Sequence, residues 1–542
     1  MSTNISKQKR DELIEKIKLI KNYIFSAPQD ENTIQLISYI NEIEKVFKQK
    51  KYGLVYEEHV EKIDEILTDN IPVFKEEKKL FIGNGDNLNF LLEGDNLSSL
   101  KLLEKTHKGK IELIYIDPPY NTGNKDFIYS DTFVDINDTF RHSKWLSFMQ
   151  KRLIISRELL QNNGVIFISI DDREFSQLKI LCDEIFGENN FVANLIWKSK
   201  SGGANDASSF GIDHEYVLCY AKNINKLLIY NDKEAAVTTS YNKMDADGRR
   251  YALDRLDKQS LGYQPTLDFP IIGPDGREYI VEHKDPNNKK ARWRWGKETV
   301  KERYDELVFI YPYVYTKNYE KKDGQKPRSI LFDERFGRTR TGSTDLKKII
   351  GSQTIFTYPK PVSLIQYLIE IGCSKEAIVL DFFAGSGTTG HAVMKLNKDS
   401  GNRKFILCTN NENNICREVT YERLKKVIEK ENYRESIKYF KIDYIPISDK
   451  LYYEYADELL VHIRELVELE NAINFNDNND IAIILTEEEL ERFTSSLSND
   501  LKYKTIYLGH DVLPSVEHEK ILAAKNIKVN IIPDYYYKEL EG

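Results

Sequence analysis

AIVLDFFAGSGTTGHAV, residues 377–393, is the stretch that decides the fold. An apolar strand runs into Gly385, Ser386 and Gly387, and Thr388 and Thr389 open a helix. Glycines let a backbone approach a ligand closely, and a helix N-terminus offers N–H groups to an anion. Alone, such a turn fits a dinucleotide site, a tight helix–strand packing turn, or a site for a nucleoside joined to methionine. There is no GxxxxGK[ST] in the chain, which excludes a P-loop and ordinary ATPase chemistry. No lysine follows the glycines to neutralise a triphosphate. A carboxylate-bearing ligand such as S-adenosylmethionine suits the turn better than a polyphosphate.

Outward from this turn the sequence alternates strand and helix. IELIYI (111–116), GVIFISI (164–170) and EYVLCY (215–220) read as strands, with helical stretches from Leu97 to Leu103 and Trp145 to Leu160 between them. The alternation breaks over 231–351, which is rich in Gly, Pro, aromatic and basic residues. It resumes with a helix at 363–371, the strand of 377–383 and the strand KFILC at 404–408. Alternation of this kind predicts an α/β fold, a doubly wound and mostly parallel sheet covered on both faces. The expected divisions are a helical region 1–78, two halves of one sheet at 79–230 and 352–434, an insert 231–351, and a C-terminal α/β appendage 435–542. Leu13, Ile14, Ile17, Ile20 and Ile24 recur at helical spacing in the first of these.

The 542 residues carry a net charge of −8, which argues against a protein that coats nucleic acid by charge alone. Five scattered cysteines without a CxxC pair predict no disulfide framework, no zinc site and a reducing cytoplasm. Nine histidines, His142 and His214 among them, show no metal-ligand spacing, and no metal is expected. No apolar run approaches the ~20 residues that span a bilayer, so no membrane partner is expected.

In a parallel sheet, ligands sit at the carboxyl ends of strands. IELIYIDPPYNTG, residues 111–123, ends a strand in Asp117, Pro118, Pro119 and Tyr120. No base adjoins the acid. Two prolines fix φ and stiffen the loop, holding the Asp117 carboxylate and the Pro118 carbonyl in one orientation. Both are acceptors, and the exocyclic NH2 of adenine or cytosine has two donors for them. That nitrogen is a poor nucleophile because its lone pair is delocalised into the ring. Accepting its protons out of plane would free the pair, and Tyr120 offers a face on which a flipped base can stack, at about 1–3 kcal/mol per base.

DPPYNTG at 117–123, FAGSGTT at 383–389 and YPKPVSLI at 358–365 together resemble the amino-group DNA methyltransferases of the β arrangement, which use S-adenosylmethionine. GDNLSSLKLL, IYIDPPYNTGNKDFIYSDTF, RHSKWLSFM, VIFISIDD and HEYVLCYAKN are similar, more closely, to the modification subunits of type III restriction–modification systems. The resemblance covers residues 79–225 and 352–430. It implies catalysis by Asp117, Pro118, Pro119 and Tyr120. It places Asp381, Phe383, Gly385, Gly387 and Thr388 at the donor's methionine end, with Lys360 and Pro361 flanking and Asp95 at the donor's adenine. A second GDN at 85–87 competes with the one holding Asp95, but the spacing to DPPY favours the latter. The acid that usually ends the strand after FxGxG is missing, and TNNENN leaves Asn410 or Glu412 for the ribose.

DPPY favours adenine N6; SPPY is commoner for cytosine N4, which stays the alternative beside a silent DNA-binding subunit. Cytosine C5 chemistry needs a nucleophilic cysteine, usually after proline, and no Pro-Cys dipeptide occurs. The resemblance further implies a homodimer on double-stranded DNA and a restriction (helicase–nuclease) subunit as partner. For DNA contacts the basic run holding Lys284, Lys289, Lys290, Arg292 and Arg294, interleaved with Trp293 and Trp295, is the candidate, continuing to Arg338 and Arg340.

Overall fold

The computed structural model of the protein describes residues 5–26, 31–48, 56–123, 127–129, 132–202, 209–235, 241–283, 285, 287–320, 324–351, 356–398, 401–446, 458–475, 480–497, 503–509 and 511–532. Two compact units emerge, residues 1–228 with 329–542, and residues 229–328. Residues 329–351, expected in the insert, belong to the larger unit. The reason is local: strand Ile330–Leu331 adds to the large sheet, and helix Thr339–Ile350 follows it.

Ten strands build that sheet: β1 (Asn70–Glu76), β2 (Asn87–Glu93), β3 (Ile111–Ile116), β4 (Leu160–Ile170), β5 (Phe191–Lys198), β6 (His214–Ala221), β7 (Ile330–Leu331), β8 (Ile378–Asp381), β9 (Lys404–Thr409) and β10 (Glu435–Pro446). Their spatial order is β1-β10-β2-β9-β8-β3-β4-β6-β5-β7. From β10 to β4 every neighbouring pair is parallel. β6 runs antiparallel to both β4 and β5. The expected doubly wound, mostly parallel sheet is the one found. β10, read from sequence as the start of the C-terminal appendage, is instead paired along its length with β2 and β1.

All six residues of β3 are buried, as a strand covered on both faces requires. Val379 and Leu380 of β8 pair with Leu113 and Ile114 of β3, so the two motif-bearing strands are direct neighbours and end at the same edge. That register turns two stretches some 260 residues apart in sequence into one site.

The N-terminal helices Ile5–Ser26 and Glu31–Lys48 bury Ile17 and Ile24 but leave Leu13 and Ile20 exposed. Near the C-terminus a parallel three-stranded sheet (Ile481–Ile484, Thr505–Leu508, Lys528–Ile531) packs on helices around Leu490, Ile506 and Leu522. Unit 229–328 has its own core, centred on Leu256, Trp293 and Val314 beside a four-stranded antiparallel sheet. Among the described residues, no helix is long and apolar enough to cross a membrane.

Candidate active site

The glycine turn after β8 is shaped by backbone need. Gly385 and Gly387 adopt φ of 49° and 73°, a region costly for residues with a Cβ, and Gly387 caps helix Thr388–Asn397. Behind the turn, the fully buried Arg423 donates to the Ser386 carbonyl (3.2 Å), the Ser386 hydroxyl (3.0 Å) and the Thr388 hydroxyl (2.8 Å). Burial pulls its guanidinium down to about 10. Asp381 sits beneath, accepting from the Phe383 N–H at 3.0 Å and the Thr389 hydroxyl at 2.5 Å, and burial pushes its carboxyl up to about 7. Asp381 thus clasps the turn from inside. Phe383 packs against Phe148 with ring centroids 5.8 Å apart.

Asp95 caps helix Asn96–His107, accepting from the N–H groups of Leu97 (2.8 Å) and Ser98 (3.3 Å), and lies 3.6 Å from Arg152. Its neighbour Asn96 donates to the Phe382 carbonyl at 2.9 Å, which ties GDN to the glycine turn. Asn410 and Glu412 both lie exposed just beyond β9, at the same edge of the sheet. Glu93, another acid at this edge, is held by Arg417 at 2.7 Å and by the Tyr439 hydroxyl.

The DPPY loop carries the largest departure from the sequence reading. Asp117 is not left without a cation. Lys360, 243 residues away, donates from Nζ to both Asp117 oxygens at 2.8 Å and to the Tyr120 hydroxyl at 2.8 Å. Burial pulls the ammonium down, but the Asp117 and Glu215 carboxylates more than offset this and hold it above the ordinary lysine value. The sequence reading set Lys360 beside the donor; the structure adds a side-chain bond to Asp117. Its backbone carbonyl still accepts from Thr388 at 3.3 Å, so one residue joins the glycine turn to DPPY.

That placement depends on close packing of the YPKP segment. A methyl group added to Gly342 would lie 2.1 Å from the Pro359 carbonyl oxygen, and one added to Gly385 would meet the Phe356 ring at 2.9 Å. Pro361 then leads into helix Val362–Gly372.

Tyr120 was read as a stacking face, and its hydroxyl proves engaged as well. It lies 3.0 Å from Asp117 Oδ1 and 3.0 Å from Glu215 Oε2. Burial first, then the two carboxylates, push it well above the ordinary tyrosine value. Trp145 donates to the Pro119 carbonyl at 2.7 Å, whereas no hydrogen bond among the described residues reaches the Pro118 carbonyl. The clamp proposed from sequence therefore keeps one carbonyl open.

Three residues escaped the sequence reading. Glu215 stands beside His214, which was noticed only as a histidine; His214 itself meets the Tyr216 hydroxyl at 3.0 Å. Asn121, at φ 58°, follows DPPY and donates to the buried Glu174 at 2.6 Å; His142 meets the same oxygen at 2.7 Å. Burial pushes Glu174 up to about 8 and pulls His142 down. Both directions disfavour the charged forms of this hydrogen-bonded pair.

The basic run behaves differently. Lys289 is paired with Asp268 at 2.8 Å, Arg292 donates to Gln264 at 2.5 Å, and Arg294 meets Asp254 at 3.2 Å and Thr316 at 2.6 Å. Arg338 binds backbone carbonyls of Phe332, Asp333 and Gly337. Lys290 and Arg340 are exposed; Lys284 lies outside the described residues. Arg338 and Arg340 belong to the larger unit rather than to the insert.

The DNA methylase family model matches residues 111–422 of the chain, from β3 through the turn after β9. The chain belongs to the DNA methylase family. Among curated relatives, the EcoPI Mod subunit of a type III restriction–modification enzyme from Escherichia phage P1 is 36% identical over 381 residues, covering 61% of this chain and 58% of that protein. The type II methyltransferase M.KpnI from Klebsiella pneumoniae is 37% identical over 338 residues, covering 59% of this chain and 79% of that one. The chain thus spans under two thirds of the Mod subunit's length. Among solved structures, the PvuII DNA methyltransferase (cytosine-N4-specific) aligns at 13% identity and a TM-score of 0.32, over 66% of this chain and 98% of that one.

Proposed function

We propose that this DNA methylase transfers a methyl group from S-adenosylmethionine to N6 of a flipped-out adenine in double-stranded DNA. The observation that carries the reading is the shared edge of β3 and β8. It sets an acceptor pair, Asp117 and the Pro118 carbonyl, beside a glycine turn and helix N-terminus suited to a carboxylate-bearing ligand. Gly385, Gly387 and Thr388 would hold the methionine end, Asp381 would brace that turn, and Asn410 or Glu412 would face the ribose. When bound, S-adenosylmethionine supplies a methyl group on a positively charged sulfur. The chain's own part is to position the amine and take up its proton. Asp117 and Pro118 orient the two N–H groups, and Asp117 accepts one proton once the nitrogen has gained its fourth bond.

A covalent route through cysteine finds no support in the site. All five cysteines are buried, and burial pushes their thiols up, Cys373 and Cys416 to about 12. From the names of the Mod relatives we further infer a modification subunit that pairs with a restriction subunit, and the resemblance of its motifs adds a second copy of the chain to that proposal.

The test is methyl transfer from labelled donor to duplex DNA, followed by nucleoside analysis. N6-methyladenine is expected. Product at cytosine N4 would overturn the base assignment, and absence of product with DNA still bound would leave a silent binding subunit.

A further inference from the structure

Four polar side chains meet at the catalytic edge, and one of them has no task in the reading above. Glu215 is the second residue of β6, and it reaches this edge because β6 runs against its neighbours. An antiparallel strand delivers its first residues where the parallel strands deliver their last. Trp197 and Ile170 pair with Glu215 and Tyr216, which fixes the register. Glu215 Oε2 lies 3.0 Å from the Tyr120 hydroxyl and 3.4 Å from Lys360 Nζ, and its side chain is 18% exposed.

Counting donors shows why a second acid matters. An ammonium has three protons, and the two Asp117 oxygens and the Tyr120 oxygen lie within reach of all three. Tyr120 has one proton and two acceptors at equal distance, so it serves one at a time. The carboxylate that must accept the target amine thus already takes up to three hydrogen bonds, two from Lys360 and one from Tyr120, of the roughly four its two oxygens can accept. Turning a carboxylate oxygen to the amine loosens its hold on Lys360, whose side chain is only 9% exposed. A buried ammonium deprived of its acceptor is strongly disfavoured unless another is at hand. Glu215 is that acceptor.

We propose that Glu215 is a positioning residue for methyl transfer: it takes over Lys360 and the Tyr120 proton when Asp117 turns to the target amine. The inference rests on the methyltransferase reading and adds a residue to it. In the transfer, the N–CH3 bond forms as the methyl–sulfur bond breaks, with that bond's electron pair remaining on sulfur. Positive charge passes to the nitrogen until one amine proton moves to Asp117. Asp117, Glu215 and Lys360 together carry one net negative charge, which favours the nitrogen cation; a neutral side chain at 215 removes it.

The experiment compares single-turnover methyl transfer to duplex DNA by the full chain and by Glu215→Gln, Glu215→Asp, Lys360→Met and the Glu215→Gln/Lys360→Met pair. Donor affinity is measured in parallel by calorimetry. Glu215→Gln should slow transfer by about 10- to 100-fold, in the range of losing one preorganised electrostatic contact, with donor affinity within about threefold. Glu215→Asp should recover part of the rate. The double variant should be slower than Lys360→Met alone by much less than Glu215→Gln slows the unaltered chain, since without the ammonium Glu215 keeps only the Tyr120 proton to receive. An unchanged rate in Glu215→Gln, lost donor binding in that variant, or multiplicative effects in the pair would each overturn the inference while leaving the methyltransferase reading intact. No transfer by the unaltered chain would remove that reading, and this inference with it.

Discussion

The sheet edge at DPPY and the basic run of the insert carry charge in opposite ways. At the edge, an acid with no basic neighbour in sequence is paired with Lys360, 243 residues away. In the insert, cations that look free in sequence are paired with Asp268 and Asp254, 21 and 40 positions from them. Charge seen along a chain is thus a poor guide to charge in space. A sheet edge gathers strand ends from distant segments, whereas a small antiparallel unit closes its pairs within itself. The difference assigns the polarity of one region to the proposed chemistry and much of the other's to folding.

The sharpest way to break this contrast is to remove the acid at the edge. Asp117→Ala should lower transfer by at least ~10³-fold, as expected for loss of a group that contacts the reacting atoms, and leave donor binding nearly intact. A variant with ordinary turnover, measured by labelled methyl incorporation, would end the clamp account.

Backbone shape comes next. Gly387→Ala forces a Cβ into a left-handed residue and should cost about 1–2 kcal/mol, read as a lower denaturation midpoint together with weaker donor binding. Gly342→Ala would press on the Pro359 carbonyl and, through it, on Lys360. We expect it to cost about 1–3 kcal/mol, in the range of overpacking. Unchanged stability in both would mean that the turn and the YPKP segment relax freely.

A pH effect sharpens the comparison further, because burial outweighs the pull of Arg141 on Glu174, which lies beneath DPPY. Burial sets its carboxyl at about 8, against an ordinary 4.5. Between these values the folded state keeps a proton that the unfolded state has lost, so Glu174 lowers stability as pH rises from 4.5 to about 8. Glu174→Gln should therefore gain stability relative to the unaltered chain across that window, measured by urea unfolding. A difference constant with pH would contradict the burial argument.

The smallest effects belong to the basic run. Lys289→Ala and Arg294→Ala remove internal pairs; the second should cost about 0.2–1 kcal/mol and the first should leave the denaturation midpoint nearly unmoved, with DNA affinity unchanged in both. Lys290→Ala and Arg340→Ala, which alter exposed cations, should weaken binding evenly across sequences and reduce the salt slope by about one each. If Lys289 and Arg294 instead govern affinity, their acid partners are exchanged for phosphate on binding, and the contrast between the two regions fails.

Much of the fold was legible because it follows from local patterns. IELIYI reads as a doubly covered strand from its unbroken apolar run, and FAGSGTT reads as a tight turn from its glycines. Asp117 and Gly385 were placed at one edge by the rule that ligands sit at strand carboxyl ends. What stayed hidden depends on strand direction and distant pairing. Nothing in HEYVLCY says that β6 runs antiparallel, so Glu215 gave no sign of reaching Asp117. Lys360 was noticed as part of YPKP, yet nothing local shows that its ammonium meets Asp117, 243 residues away. Residues 329–351 were misassigned for a related reason: a two-residue strand that extends the sheet leaves almost no trace in composition.

The most direct test of the central claim is the structure of the chain bound to duplex DNA and a non-reactive analogue of the methyl donor. The account predicts a flipped adenine with N6 within about 2.7–3.2 Å of an Asp117 oxygen and of the Pro118 carbonyl, and Lys360 shifted toward Glu215. An adenine amine bound elsewhere, with both Asp117 oxygens still on Lys360, would contradict it.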